Sequence, residues 1–203
     1  VAEYCANDVI TTDELRKARH ADFVARQILA ELSGLPVNSS TNQHSTHIIF
    51  GNEKRPQSEF NYVDLSTEFP GYTFNFGKSS YRGYDPSEGG FVDAEPGMYA
   101  NVTVFDVASM PPSSIIAMNM FGDSYTPLFK DLLDVRLAIK NKDYDAAKKM
   151  LGGKIEKYLS DPDEAKGLSN ALKIVINSVY GLTSARFENP FRDPRNVDNI
   201  VAK

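Results

Sequence analysis

Apolar residues recur with helical spacing through the second half of the chain. Between Asn170 and Gly181, residues Leu172, Ile174, Val175, Ile176 and Val179 are apolar, while Lys173, Asn177 and Tyr180 follow at spacings of four and three. On a helix those spacings set a lysine, an amide and a phenol on one face. The pattern predicts helices near Pro112–Phe121, Pro127–Asn141, Tyr144–Leu151, Lys154–Leu159 and Pro162–Tyr180. Asp161, with Pro162 at the first helical position and Glu164 at the third, marks the start of the last one. Near the N-terminus, Thr11-Thr-Asp-Glu14 reads as a capping box before a helix to about Leu32, which Gly34 ends.

The first half is less regular. Residues 35–100 are rich in Gly, Pro, Asn, Ser and Tyr and read as a loop-rich connector. Short extended pieces are expected near His47–Phe50, Tyr72–Phe76 and Phe91–Asp93. Lys54, Arg55, Lys78 and Arg82 lie among Phe60, Tyr62, Tyr72, Tyr81 and Tyr84. That mixture suits either contact with nucleic acid or a packed connector with solvated charges. Residues 102–105, Val-Thr-Val-Phe, are β-branched or aromatic and predict a strand with Asp106 at its end. After Pro111-Pro112, Ser113 is placed to cap the next helix.

Bulk properties narrow the classes. At 203 residues the chain can bury a real core in one or two domains. No apolar run approaches the ~18 residues of a membrane span. Glu3, Asp8 and Asp13 interrupt the start, so no signal peptide is read there. The single cysteine, Cys5, forms no internal disulfide and fits a reducing compartment. The net charge is −5, but it is unevenly spread. Residues 130–157 hold eight basic and five acidic residues, and 166–203 hold six and three. A basic half joined to an acidic half is compatible with one side facing nucleic acid. His44-Ser-Thr-His47 lacks the cysteine or third histidine a metal site needs. Ser109 and Ser113 have no His and Asp companions for hydrolase chemistry, and no Gly-x-x-x-x-Gly-Lys loop occurs.

Four segments carry a family resemblance. Lys173-Ile-Val-Ile-Asn177-Ser178-Val-Tyr180-Gly181 resembles the Lys-x-x-x-Asn-Ser-x-Tyr-Gly motif of family B DNA polymerases. Asp106-Val-Ala-Ser109-Met110-Pro111-Pro112-Ser113-Ser-Ile115 resembles that family's Asp-x-x-Ser-Leu-Tyr-Pro-Ser-Ile. Between them, Arg136 and Lys140 stand four apart, as in the family's first fingers helix. Tyr4 and Asp8 fit the Tyr-x-x-x-Asp motif that ends a 3′–5′ exonuclease domain. The departures are Pro111, where the family has tyrosine, and Ser87 before Glu88-Gly89-Gly90, where its linker signature has tyrosine. Proline supplies neither the ring that limits room for a 2′-hydroxyl nor a backbone N–H for phosphate, and it biases Met110 towards extended backbone.

The resemblance, closest to the polymerases of tailed bacteriophages, implies a mixed α/β (α+β) fold. Its parts would be a partial palm sheet, antiparallel fingers helices, an exonuclease-terminal helix and a loop-rich connector. The expected segments are 1–34 (end of the exonuclease domain), 35–100 (connector), 101–126 (palm), 127–181 (fingers) and 182–203 (return to the palm). It implies transfer of deoxynucleotides to a primer 3′-hydroxyl with two Mg²⁺ ions. Asp106 would bind metal and carry catalysis, with the carbonyl of Val107 as a further ligand. Ser109, Met110, Pro111, Arg136, Lys140, Lys173, Asn177 and Tyr180 would line the nucleotide site, and Tyr4 and Asp8 would serve the exonuclease. The implied partners are primer–template DNA, deoxynucleoside triphosphates and a processivity factor, in the cytoplasm of a bacterial host. The family's Asp-Thr-Asp motif is absent, and Asp161-Pro-Asp163 precedes rather than follows Lys173, so the chain by itself is expected to be inactive. The competing reading is a non-catalytic nucleic-acid- or nucleotide-binding module derived from a degenerate polymerase.

Overall fold

A computed structural model of the chain describes residues 2–75, 78–86, 93–107, 109–185 and 187–196. The fold is mixed α+β, mostly helical with a small antiparallel sheet. It divides into two compact units: residues 1–53 with 128–179, and residues 54–127 with 180–203. The segments expected as palm and its return, 101–126 and 182–203, fall in the second unit, together with Tyr180 and Gly181 from the end of the expected fingers segment. The segment 1–34 falls in the first unit with residues 128–179.

The first unit opens with α1 (Ala2–Ala18) and α2 (His20–Ser33). The capping box expected at Thr11 does not form, because helix already surrounds it. The Thr12 hydroxyl instead donates to the Asp8 carbonyl at 2.7 Å, the back-bond available to a hydroxyl inside a helix. Asp13 turns to Lys17 (2.7 Å) and Arg16 (2.9 Å), which keep its carboxyl below its ordinary range. The helix breaks near Arg19, and α2 buries Ala25, Ile28 and Leu29. Gly34 ends α2 in the left-handed region at φ 70°, as the sequence predicts.

The next element corrects the reading of 35–100 as irregular. Residues 41–50 form α3 (Thr41–Phe50), so His47–Phe50 is helical rather than extended. Its cap is a full box: Gln43 N–H donates to Ser40 Oγ at 3.2 Å, and Ser40 N–H to Gln43 Oε1 at 2.8 Å. Arg26 holds the intervening loop, donating to the Val37 carbonyl (3.2 Å), the Ser39 carbonyl and Thr41 Oγ1 (3.0 Å). His44 is fully buried, and its Nδ1 shares a hydrogen bond with Ser33 Oγ at 2.7 Å. The rest of the unit holds the later part of α5 (Gly122–Lys140), α6 (Tyr144–Lys148), 3-10 turns at Leu151–Gly153 and Glu156–Leu159, and most of α7 (Pro162–Thr183). Phe129, Leu132, Val135, Ile155, Leu168, Leu172, Val175 and Val179 are buried here. Gly167 gives α7 a close approach to α2, since a β-carbon there would lie 3.0 Å from Val24 Cγ1.

In the second unit, β1 (Thr73–Asn75) pairs antiparallel with β2 (Lys78–Ser80), Phe74 opposite Ser79. The strand expected at 102–105 is not formed. Those residues lie outside regular structure, with Val104 85% and Phe105 91% exposed. Strand propensity is realised only by pairing, and no strand pairs with them among the described residues. So the sheet lies at 73–80, not beside Asp106. Helix α4 (Met110–Ala117) begins with Met110 and Pro111 in its first turn, so Ser113 does not cap it. Met110 is helical despite the following proline. Proline is well tolerated in the first turn, where its missing N–H has no helical partner to lose. The expected helix to Phe121 stops at Ala117, and α5 starts at Gly122 rather than Pro127. Phe121, fully buried, meets Phe60 at a tilt (5.1 Å between centroids) and Phe191 edge-on (5.8 Å). Glu88-Gly89-Gly90, Ser87 and Phe91 lie outside the described residues.

Candidate functional site

Helix α7 carries the most informative residues, and its burial pattern explains their placement. Leu172, Val175, Ile176 and Val179 are buried, so the helix is pinned by that face. Lys173 and Asn177, one turn apart, are exposed, and Tyr180 is half-buried. Neither Lys173 nor Asn177 has a hydrogen-bond or ion-pair partner among the described residues. Gly181 continues the same open face, with nothing within 4 Å of a β-carbon built on it.

Helix α5 carries Arg136 and Lys140, also one turn apart. Lys140 is exposed, and Arg136 is half-buried with its Nε buried and unbonded. Two other cations, Lys130 and Lys157, show what pairing looks like here. Lys130 is bound to Asp134, one turn along α5, and that hydrogen bond raises its pKa. Lys157 and the Tyr158 hydroxyl both donate to Glu31. The Lys157 bond chiefly lowers the Glu31 pKa, while burial first and Glu31 second raise that of Tyr158. Arg136, Lys140 and Lys173 have no such acid partner among the described residues. An unpaired ammonium or guanidinium keeps its whole charge for an incoming anion.

Asp106 lies in the second unit, in the exposed segment before α4. Its carboxylate has no hydrogen bond or ion pair among the described residues, and Val107 is 62% exposed. Ser109, at φ 54° and ψ 49°, is the non-glycine left-handed residue that turns the chain into α4, without a side-chain cap. Met110 is 46% exposed and Pro111 half-buried in the first helical turn. Tyr4 and Asp8 stand one turn apart on α1, and both are exposed.

A free carboxylate is a hard oxygen donor of the kind Mg²⁺ takes. Among the described residues no three His, Cys, Asp or Glu side chains gather into a metal-holding group. Mg²⁺ at a nucleotide site is ordinarily held by one or two carboxylates, with phosphate oxygens and waters completing the shell. Asp106 fits that partial role.

Sequence reasoning overlooked Asp193 and Asn196. Both are buried polar residues that hold Arg195 and residues 61–63 together in the second unit. Their signal was the turn chemistry of Asp193-Pro-Arg-Asn196. Compared with family models, curated proteins and solved structures, the chain matches none. No helix among the described residues is long and apolar enough to cross a membrane.

Proposed function

We propose that the chain is part of a DNA-directed DNA polymerase of family B. In this reading it spans the end of the exonuclease domain, part of the palm and the fingers. The observation that carries the proposal is the open face of α7, with Lys173 and Asn177 unpaired beside Tyr180. The order Asp106, Arg136 and Lys140, then Lys173, Asn177 and Tyr180 supports it as well.

Lys173, Arg136 and Lys140 bind and neutralise the triphosphate of a deoxynucleoside triphosphate. Lysine acts as a point charge and arginine as a planar fork on phosphate oxygens. Asn177 and Tyr180 take the family's positions for the nucleotide's sugar and base, and Ser109, Met110 and Pro111 those of its first polymerase motif. Asp106 holds Mg²⁺, which when bound supplies the positive charge that attacking and leaving oxygens require. Pro111 provides no aromatic ring against a 2′-hydroxyl, so if sugar choice is strict another residue supplies it.

Primer extension by the full-length protein, with Mg²⁺ and deoxynucleoside triphosphates, tests the reading. Near-total loss of extension in Asp106→Asn, with the wild type active, is the expected result. Equal activity in both removes Asp106 from the centre. Inactivity of both, with primer–template still bound, favours the non-catalytic binding module.

A further inference from the structure

Tyr62 and Arg195 form a cation–aromatic pair on the surface of the second unit. The guanidinium lies 5.8 Å from the ring centroid. Both side chains are accessible: Tyr62 is 49% exposed and the Arg195 side chain 56%. Buried polar residues hold the Arg195 guanidinium itself and the backbone on either side of Tyr62. Asp193, only 4% exposed, accepts from Arg195 Nε at 3.0 and 3.1 Å and from Nη2 at 2.6 Å. Its Oδ1 also accepts the Arg195 backbone N–H at 3.0 Å. Asn196, 1% exposed, spans Tyr62 from the other side. Its Nδ2 donates to the Asn61 carbonyl at 2.6 Å, and its Oδ1 accepts the Val63 N–H at 3.4 Å.

The residues on both sides of Tyr62 are therefore tied to the turn that carries Arg195. Burying a carboxylate and an amide is costly unless each is well bonded. Here the carboxylate orders the exposed guanidinium and the amide fixes the backbone that carries the exposed ring. Ordering side chains is a main cost of binding, and for Arg195 it is met before any ligand arrives. A flat ring with an adjacent planar cation is the combination that stacks a nucleobase and meets its phosphate. Of the five N–H donors of a guanidinium, the pair on Nη1 is uncommitted among the described residues.

We infer that Tyr62 and Arg195 form a binding site for one nucleotide unit of single-stranded nucleic acid, its base stacked on Tyr62 and its phosphate on Arg195 Nη1. The site is separate from the Lys173 face and does not rest on the polymerase reading. The test is fluorescence-anisotropy titration of a labelled oligothymidylate with the wild type, Tyr62→Phe, Tyr62→Leu and Lys173→Ala proteins, with dTMP as competitor. Melting curves check that each variant is folded. Tyr62→Leu keeps apolar volume but has no π face, and it is expected to weaken binding about tenfold. Tyr62→Phe, which keeps the aromatic face, is expected to retain it. Unchanged affinity in folded Tyr62→Leu, or no binding by the wild type, overturns the site. Competition by dTMP at the concentration of oligonucleotide residues overturns the assignment to a strand. Loss in Lys173→Ala with none in Tyr62→Leu assigns strand binding to the α7 face instead.

Discussion

The carbonyl oxygen of Glu59 occupies the space a β-carbon on Gly122 would need: an ideal Cβ there lies 2.0 Å from that oxygen. Gly122 also has φ 72°, in the left-handed region. It starts α5 against the 3-10 turn Pro56–Glu59, and Ser124 Oγ reaches Glu59 Oε2 at 3.3 Å in the same place. The close approach is available to glycine alone, and the left-handed backbone favours it.

Gly122→Ala must therefore move backbone, not a flexible side chain. It is expected to destabilise the protein by about 3 kcal/mol, the scale of backbone strain and overpacking combined. Gly181→Ala is the contrast, since its β-carbon meets nothing within 4 Å and it sits inside α7. That change is expected to stabilise by up to about 1 kcal/mol from helix propensity. Urea unfolding midpoints of the two variants should move in opposite directions; a shared direction contradicts this account of Gly122.

Ser40→Ala removes the oxygen that accepts the Gln43 N–H and opens the capping box of α3. The expected loss is about 1 kcal/mol. Hydrogen exchange at Gln43 should quicken more than exchange in α7. Uniform quickening through the first unit would mean that the cap acts globally rather than on α3.

His44 gives stability a pH dependence. Burial, then the nearby charge of Arg26 on α2, holds its pKa below the ordinary 6.5, with the Val37 carbonyl pulling the other way and His47 on α3 adding to the depression. Its Nε2 is buried without a bond, so a proton there finds no acceptor. The unfolded chain then binds more protons than the folded one below about 6.5, and stability falls with falling pH in that window. Above about 6.5 the contribution is level. Asp13, Glu31 and Asp64 have lowered values and add their own losses only further down, below their ordinary 3.8 to 4.5. Chemical unfolding across the pH range should show a slope beginning near 6.5 that disappears in His44→Gln. A slope unchanged in the variant assigns it to another group.

Lys173→Ala is expected to weaken nucleotide binding by about 1–3 kcal/mol, the scale of a charged hydrogen bond. Because Lys173 is exposed and unpaired, thermal stability should stay within about 0.5 kcal/mol of the wild type. Calorimetric titration with a deoxynucleoside triphosphate and Mg²⁺ separates the two effects. Unchanged affinity takes Lys173 out of the site.

Periodicity alone located α7 and its exposed Lys173 and Asn177, because a long amphipathic helix is specified by residues within one or two turns of each other. The left-handed stop at Gly34 was legible for the same local reason, and the Ser40-Thr-Asn-Gln43 box was present in the sequence though overlooked. Tertiary structure decided what local preference could not. Thr11-Thr-Asp-Glu14 has the chemistry of a helix start, yet preceding helix carries the chain through it. Val102 to Phe105 has the chemistry of a strand, yet a strand needs a partner's N–H and C=O groups and those residues have none among the described ones. Pro127 falls inside α5 because Gly122 begins the helix earlier, where Glu59 allows only glycine. Asn196 reaches across more than 130 residues of chain to hold the backbone on both sides of Tyr62, while Asp193 holds Arg195 locally, and no window of sequence contains the resulting pairing of Tyr62 with Arg195. Each of these outcomes depends on groups distant along the chain satisfying one another's hydrogen bonds or competing for the same space.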